Sequence, residues 1–222
     1  MFAVIFVVQP HKHTFDDYLD HAKELKPILE SIDGFIDNER FESKRKKGRV
    51  LSLSTWRDEK SVIRWRTEAR HHGIQEIGRS EVFEDYHLRV GEVTTDTAPP
   101  HKLKVVEQRF DITEAGDARM MTITELNARQ DKPAVPPDEL TRLLRLDEAA
   151  AGLVEHETFE SIYNPGKLLL LAGWGEAAPA NAWTPASQPD VQWRHRQVRI
   201  IRDYSMRDRR EAPQYYPPIA ER

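Results

Sequence analysis

Trp65, Ala69 and His72 are spaced by four and three residues, which places them on one face of a helix. An aromatic wall beside an imidazole that titrates near neutrality can hold a small molecule and move a proton on it. His71 adjoins, and Gly73 can distort the register so that either imidazole faces the same way. Both residue types have plainer uses: tryptophan is commonly core, and a helix histidine is commonly a surface or capping group. Other clusters carry less. His11 and His13 supply two imidazoles on a loop without a third ligand nearby, a solvated turn rather than a metal site. Lys44-Arg45-Lys46-Lys47-Gly48-Arg49 falls on a hairpin tip, where charges are ordinarily solvated. Asp37 and Glu39, with Glu155 and Glu157, stand two apart on strand faces and read as solubilising or salt-bridged. Dinucleotide, P-loop and zincin chemistries lack their signatures, since GxGxxG, GxxxxGK[ST] and HExxH are absent from the sequence.

Composition narrows the class further. The 222 residues contain no cysteine, which excludes disulfides, thiolate zinc sites, iron–sulfur clusters and a cysteine nucleophile. With 33 Lys+Arg against 37 Asp+Glu the net charge is −4, arguing against a nucleic-acid partner or an anionic membrane surface. The apolar run Phe2 to Val8 lacks a basic leader and reads as a strand rather than a signal peptide. No run approaches the roughly 20 residues of a membrane span. These features predict a cytoplasmic protein.

The elements that position these residues occur twice. GFIDNERFES from Gly34 and GLVEHETFES from Gly152 coincide at Gly, Glu, Phe, Glu and Ser with an offset of 118 (152 − 34). The same offset aligns Gly48, Leu51, Leu53 and Trp56 with Gly166, Leu169, Leu171 and Trp174, and Trp65 with Trp183. Each copy predicts strand, helix, strand, strand, helix, strand, the split βαβ or ferredoxin-like unit. The first copy predicts strand Phe2 to Gln9, a helix from Thr14 to Ile32 bent or interrupted at Pro27, a hairpin ending at Trp56, one helix from Ser61 to about Gly78, and strand Tyr86 to Val93. The second predicts Met120 to Asn127, helix Asp138 to Ala151, the Trp174 hairpin, a short helix from Glu176 to Trp183, and strand Gln197 to Asp203. A four-stranded sheet with helices on one face leaves an apolar face that must meet a second sheet. The expected fold is therefore α+β, two tandem units whose antiparallel sheets pack as an intrachain dimeric α+β barrel. The expected boundaries are 1–93 for the first, functional unit, 94–118 for a linker with an extra strand over Leu103 to Ile112, 119–204 for a degenerate second unit and 205–222 for a proline-rich tail.

The first copy resembles the antibiotic biosynthesis monooxygenase family of dimeric α+β barrels. The resemblance spans about Phe2 to Val93 and rests on the strand ending in Trp56, the helix with Trp65, His71-His72-Gly73-Ile74-Gln75, Gly78-Arg79, and Phe83-Glu84-Asp85-Tyr86 leading into the last strand. It implies oxidation of a small phenolic or anthrone-like aromatic by molecular oxygen without metal or flavin, in a two-chain barrel here built from one chain that can still form a homodimer. Such chemistry needs an apolar pocket, a proton acceptor and donors for the resulting anion. His72 is the expected base, with His71 as its neighbour, Arg79 the anion stabiliser, and Trp65, Trp56 and Tyr86 the walls. A related branch degrades haem, but its first-strand Asn is replaced here by FAVIFVVQ with only Gln9 near the end. Haem binding or degradation, and a non-catalytic sensor of an aromatic metabolite, are the alternatives.

The two copies differ at one face. Val50, Ser52 and Ser54 precede Trp56, whereas Leu168, Leu170 and Ala172 precede Trp174. Small hydroxyls beneath a Trp/His helix leave space and polarity for a ligand, while leucines fill it. With no histidine expected beside Trp183, the sequence predicts a pocket containing Ser52 and Ser54 in the first copy and a structural second copy.

Overall fold

Alternation along the strands decides the architecture. The computed structural model describes residues 1–100, 103–128, 135–186 and 191–213. In β1 (Phe2–Pro10), Ala3, Ile5 and Val7 join one core cluster while Phe2 and Val8 join two others, so both faces of the strand are covered. The strands β2 (Phe35–Ser43), β3 (Val50–Trp56), β4 (Phe83–Asp96), β5 (Met120–Ala128), β6 (Leu153–Ser161), β7 (Lys167–Trp174) and β8 (Val191–Ser205) complete a closed barrel ordered β1-β3-β2-β6-β7-β5-β8-β4. Every pairing is antiparallel. The interior holds Ile5, Phe41, Leu51 and Leu53 from one half against Ile123, Phe159, Leu169 and Leu171 from the other.

The halves obey one register. Phe2 pairs with Trp56 as Met120 pairs with Trp174. Across the β2–β6 seam, Ser43 Oγ donates to Glu157 at 2.5 Å and Ser161 Oγ donates to Glu39 at 2.6 Å, the same bond made in both directions. Glu39 and Glu157 thus stitch the seam, and the hairpin-tip Lys44 joins them through Glu160 at 2.7 Å. Turn glycines recur too: Gly48 and Gly166 have φ of 77° and 84°, a left-handed conformation that glycine reaches without strain.

Several expected elements differ. Helix α1 (Phe15–Ser31) runs through Pro27 without interruption. The single expected helix over 61–78 is two, α2 (Glu59–Arg66) and α3 (Ala69–Ile77), followed by a π-helical turn at Gly78–Val82. Asp58 caps the first through the Ser61 N–H, and Glu68 caps the second through the His71 N–H, so a fresh N-terminus starts where the pattern looked continuous. The expected helix over 138–151 shrinks to a 3-10 turn (Pro137–Glu139) and one α-turn, α4 (Leu140–Leu143), ahead of Arg145 with φ of 56°. Helix α5 (Ala177–Ala182) has six residues and stands where a short helix was expected. Leu103 to Ile112 forms no strand. The buried Glu92 carboxylate takes the Gln108 and Arg109 N–H groups at 2.5 and 2.9 Å, replacing a ladder partner, while Leu103 and Val105 pack on the barrel core. Among the described residues no helix is long and apolar enough to cross a membrane.

Candidate functional site

A cavity of about 190 Å³ separates the outer face of the first-half sheet from α1, α2 and α3. Its floor carries Val4 and Phe6 from β1, Ser52 and Ser54 from β3, and Leu88 and Val90 from β4; Leu25, Val62, Trp65, His71 and Ile74 roof it. This is on the order of ten times the space one water requires, and it is walled chiefly by carbon.

The helix break decides which histidine enters. Because α3 restarts at Glu68, the His71 ring stacks on Trp65, centroids 3.9 Å apart and planes within 12°. Its Nδ1 lies 2.9 Å from the Trp65 carbonyl. A carbonyl only accepts, so Nδ1 carries the proton and Nε2 keeps its lone pair, faced by the Gln75 amide nitrogen at 3.4 Å. Burial lowers the His71 pKa to about 4, against the opposing pull of the Trp65 carbonyl and Glu68, and the imidazole is neutral at pH 7. His72, the expected base, points outward instead, its side chain 43% exposed and 3.6 Å from Glu76.

The remaining expected residues divide. Ser52 and Ser54 are on the floor, and Trp65 and Tyr86 on the walls. Trp56 is not: it is fully buried against Phe35 at the end of the same strand face, packed with Leu29 and Val62, and its Nε1–H donates to Ser54 Oγ at 2.9 Å, so it closes the end of the floor. The π-helical turn aims Arg79 inward, where Nη1 donates to Tyr86 Oη at 2.7 Å. Arg209 donates to the same oxygen at 2.7 Å from the segment after β8, at the start of the expected proline-rich tail. Residues 214–222 lie outside the described residues. Sequence reasoning also missed Tyr18 on α1 and Arg40 on β2, both on the cavity wall. Arg40 carried a signal, being a cation two residues from Asn38 on one strand face; Tyr18 sat unremarked in the apolar stripe with Ala22, Leu25 and Leu29. Arg40, Arg66, Arg79, Arg202 and Arg209 line the cavity with Glu59 as the sole carboxylate among its lining residues. Such a cavity favours an apolar ligand with an acidic group.

Arg202, Tyr204 and Arg209 belong to the second half or follow it, so the cavity is not the property of the first copy alone. The equivalent second-half face is packed by Leu140, Leu144, Leu170 and Ala180, each at most 1% exposed. A histidine does lie beside Trp183 there: His195 meets it edge-on at 5.3 Å, arriving from β8 rather than from a helix.

A family model described as antibiotic biosynthesis monooxygenase matches residues 1–77. A protein of Pyricularia oryzae named jasmonate monooxygenase is 43% identical over 99% of this chain and 100% of its own. Among solved structures, an aldoxime dehydratase in complex with butyraldoxime superposes with a TM-score of 0.59 at 12% identity over 92% of this chain and 81% of that one. A second aldoxime dehydratase gives 0.54 at 10% identity over 90% and 80%. Both show the barrel fold alone. Kinship along its whole length to a named monooxygenase, joined to the family match over its first 77 residues, makes this chain a monooxygenase of the antibiotic biosynthesis monooxygenase family.

Proposed function

We propose that the protein oxygenates a small, mostly apolar molecule bearing one acidic group, of the jasmonate kind, in the cavity beneath α2 and α3, using dioxygen and no metal, flavin or haem. The observation that carries this reading is the carbon-walled cavity whose charged lining is five guanidiniums to one carboxylate. Jasmonate joins a cyclopentanone ring and a hydrocarbon tail to a carboxylate, and the relative's name supports that class over the phenolic or anthrone-like one.

His71 Nε2 is the proton acceptor. A neutral imidazole in an apolar site is a weak base until a substrate anion forms beside it, and that anion then stabilises the imidazolium. The arginines and the floor hydroxyls stabilise negative charge on substrate oxygen. Of the two oxygen atoms, one joins carbon and the other leaves as water. Where a methylene becomes a carbonyl, the substrate supplies all the electrons; where a C–H becomes an alcohol, two electrons and two protons come from an external reductant.

The test is incubation of pure protein with jasmonate and with a hydroxyanthrone under isotopically labelled dioxygen, with and without a reduced nicotinamide. Saturable oxygen uptake and one labelled oxygen atom in the jasmonate product are expected. Labelling of the hydroxyanthrone alone would move the substrate class to phenols, and binding of both without oxygen uptake would reduce the site to a binder. A Soret band on haem titration, lost in His71→Ala, would overturn the cofactor-free reading.

A further inference from the structure

Tyr18 is 6% exposed, and its hydroxyl, buried on the cavity wall beside Arg40, has no acceptor for its proton. Arg40, across on β2, has its Nε–H in the same condition. A buried donor left without an acceptor is costly, so two on one cavity wall call for a physical reason. Neither side chain is loose. Arg40 Nη1 donates to Asn38 Oδ1 at 3.1 Å, and Asn38 Nδ2 donates to Ser52 Oγ at 3.1 Å and to the Leu53 carbonyl at 3.0 Å. The Tyr18 ring packs edge-on against Phe83 at 6.0 Å. Burial raises the Tyr18 pKa against the opposing charge and hydrogen bond of Arg40 beside it, so the phenol keeps its proton and is a donor at neutral pH. The chain from Ser52 through Asn38 to Arg40 fills the Asn38 carbonyl, and Glu59, the carboxylate on the wall, is held by Arg109. The Nε–H of a propped cation and a phenol O–H thus share a wall without an acceptor.

We propose that Tyr18 and Arg40 form a two-donor subsite for the carboxylate of the bound substrate. The assignment rests on the acidic-substrate reading above and adds an orientation to it. A carboxylate has lone pairs for both donors and brings no donor of its own to satisfy. Arg40, Ser52, Phe6 and Leu88 lie in one register row across β2, β3, β1 and β4, three strand spacings or about 14 Å of floor. An acid anchored at the β2 side lays its apolar body over Phe6 toward the Tyr86 wall, and the oxidised carbon is then remote from the acid.

Affinities of wild type, Tyr18→Phe and Arg40→Gln for jasmonate and for its methyl ester test this. Wild type is expected to prefer the acid by about 10- to 100-fold, the worth of hydrogen bonds to a charged group. Each variant should lose most of that preference while binding the ester as wild type does. Tyr18→Phe should keep or raise the melting temperature, since the O–H it removes has no acceptor; a purely structural tyrosine would lower it. Equal wild-type affinity for acid and ester, or a preference that survives both substitutions, overturns the subsite while leaving the oxygenase reading in place. Failure of wild type to bind either compound overturns the substrate class and this subsite together.

Discussion

The two halves share a register, a seam and even a tryptophan anchored by a hydroxyl, yet one holds a cavity and its counterpart face is packed. The floors do not explain the difference. In the first half Val4 faces Ser54 and Phe6 faces Ser52; in the second, Thr122 faces Ala172 and Thr124 faces Leu170. Each pair has kept one hydroxyl and one apolar side chain and moved the hydroxyl to the neighbouring strand. What changed is the roof. The first half has the 17-residue α1 and the paired α2 and α3, which arch over the sheet, while the 4-residue α4 and 6-residue α5 lie close and bring Leu140, Leu144 and Ala180 into the gap. A ligand space here is built by helix length rather than by serines.

The histidines offer the sharpest way to break that comparison. Each half presses an imidazole against its helix-side tryptophan, but His71 opens on the cavity while His195 has a sealed Nε2 and a 2.8 Å contact from Nδ1 to Thr124 Oγ1. His71→Ala should lower kcat/KM by about 10²- to 10⁴-fold, the usual worth of a positioned acid or base. His72→Ala and His195→Ala should stay within a few-fold of wild type in the same oxygen-uptake assay. An equal loss from His72→Ala would return the base to the residue the helical periodicity favours.

Acid stability is the property in which the halves should agree. Burial lowers both pKa values, His71 and His195 alike, to about 4. An unfolded histidine titrates near 6.5, so between about pH 6.5 and 4 the unfolded chain takes up protons that the folded one refuses. The stabilisation is complete above the unfolded pKa and is lost as pH falls toward the folded one, by roughly 3 kcal/mol for each group. Urea unfolding at pH 7 and pH 4.5 should therefore show a steep acid loss, with His71→Gln and His195→Gln each flattening it by about one proton. A slope unmoved by His195→Gln would mean that this imidazole is protonated within the fold.

Much of this was readable in the residues themselves. A constant offset of 118 carried the duplication and the paired turns, because buried strands and left-handed glycines tolerate little drift. The helix break was harder to see: Thr67 and Glu68 are compatible with a helix, and only the competing caps at Asp58 and Glu68 divide the segment, which moved the site from His72 to His71. Trp56 looked like Trp65 in sequence, and only its packing with Phe2, Leu29 and Val62 shows that it closes the end of the floor instead of lining the cavity. Arg209 could not be placed from pattern at all, since Glu211 fixes its segment through the Thr113 hydroxyl and the N–H groups of Asp203 and Glu114, contacts distant in sequence.

The smallest effect tests the exchange of hydroxyls directly. Ser54→Ala removes the acceptor of the Trp56 indole, and the stranded N–H should cost about 1–3 kcal/mol. In the second half the corresponding indole, Trp174, donates at 3.0 Å to Thr122, whose twin by register is Val4. Val4→Thr alone should also destabilise, by adding a hydroxyl to an apolar contact without need. Together, Val4→Thr and Ser54→Ala reproduce the second-half arrangement, and their combined loss should fall about 1 kcal/mol or more short of the sum of the two. Denaturant unfolding of the four proteins measures that coupling. Strict additivity would show that Trp56 does not need the bond, and would leave the serines, rather than the helices above them, as the reason the first half stays open.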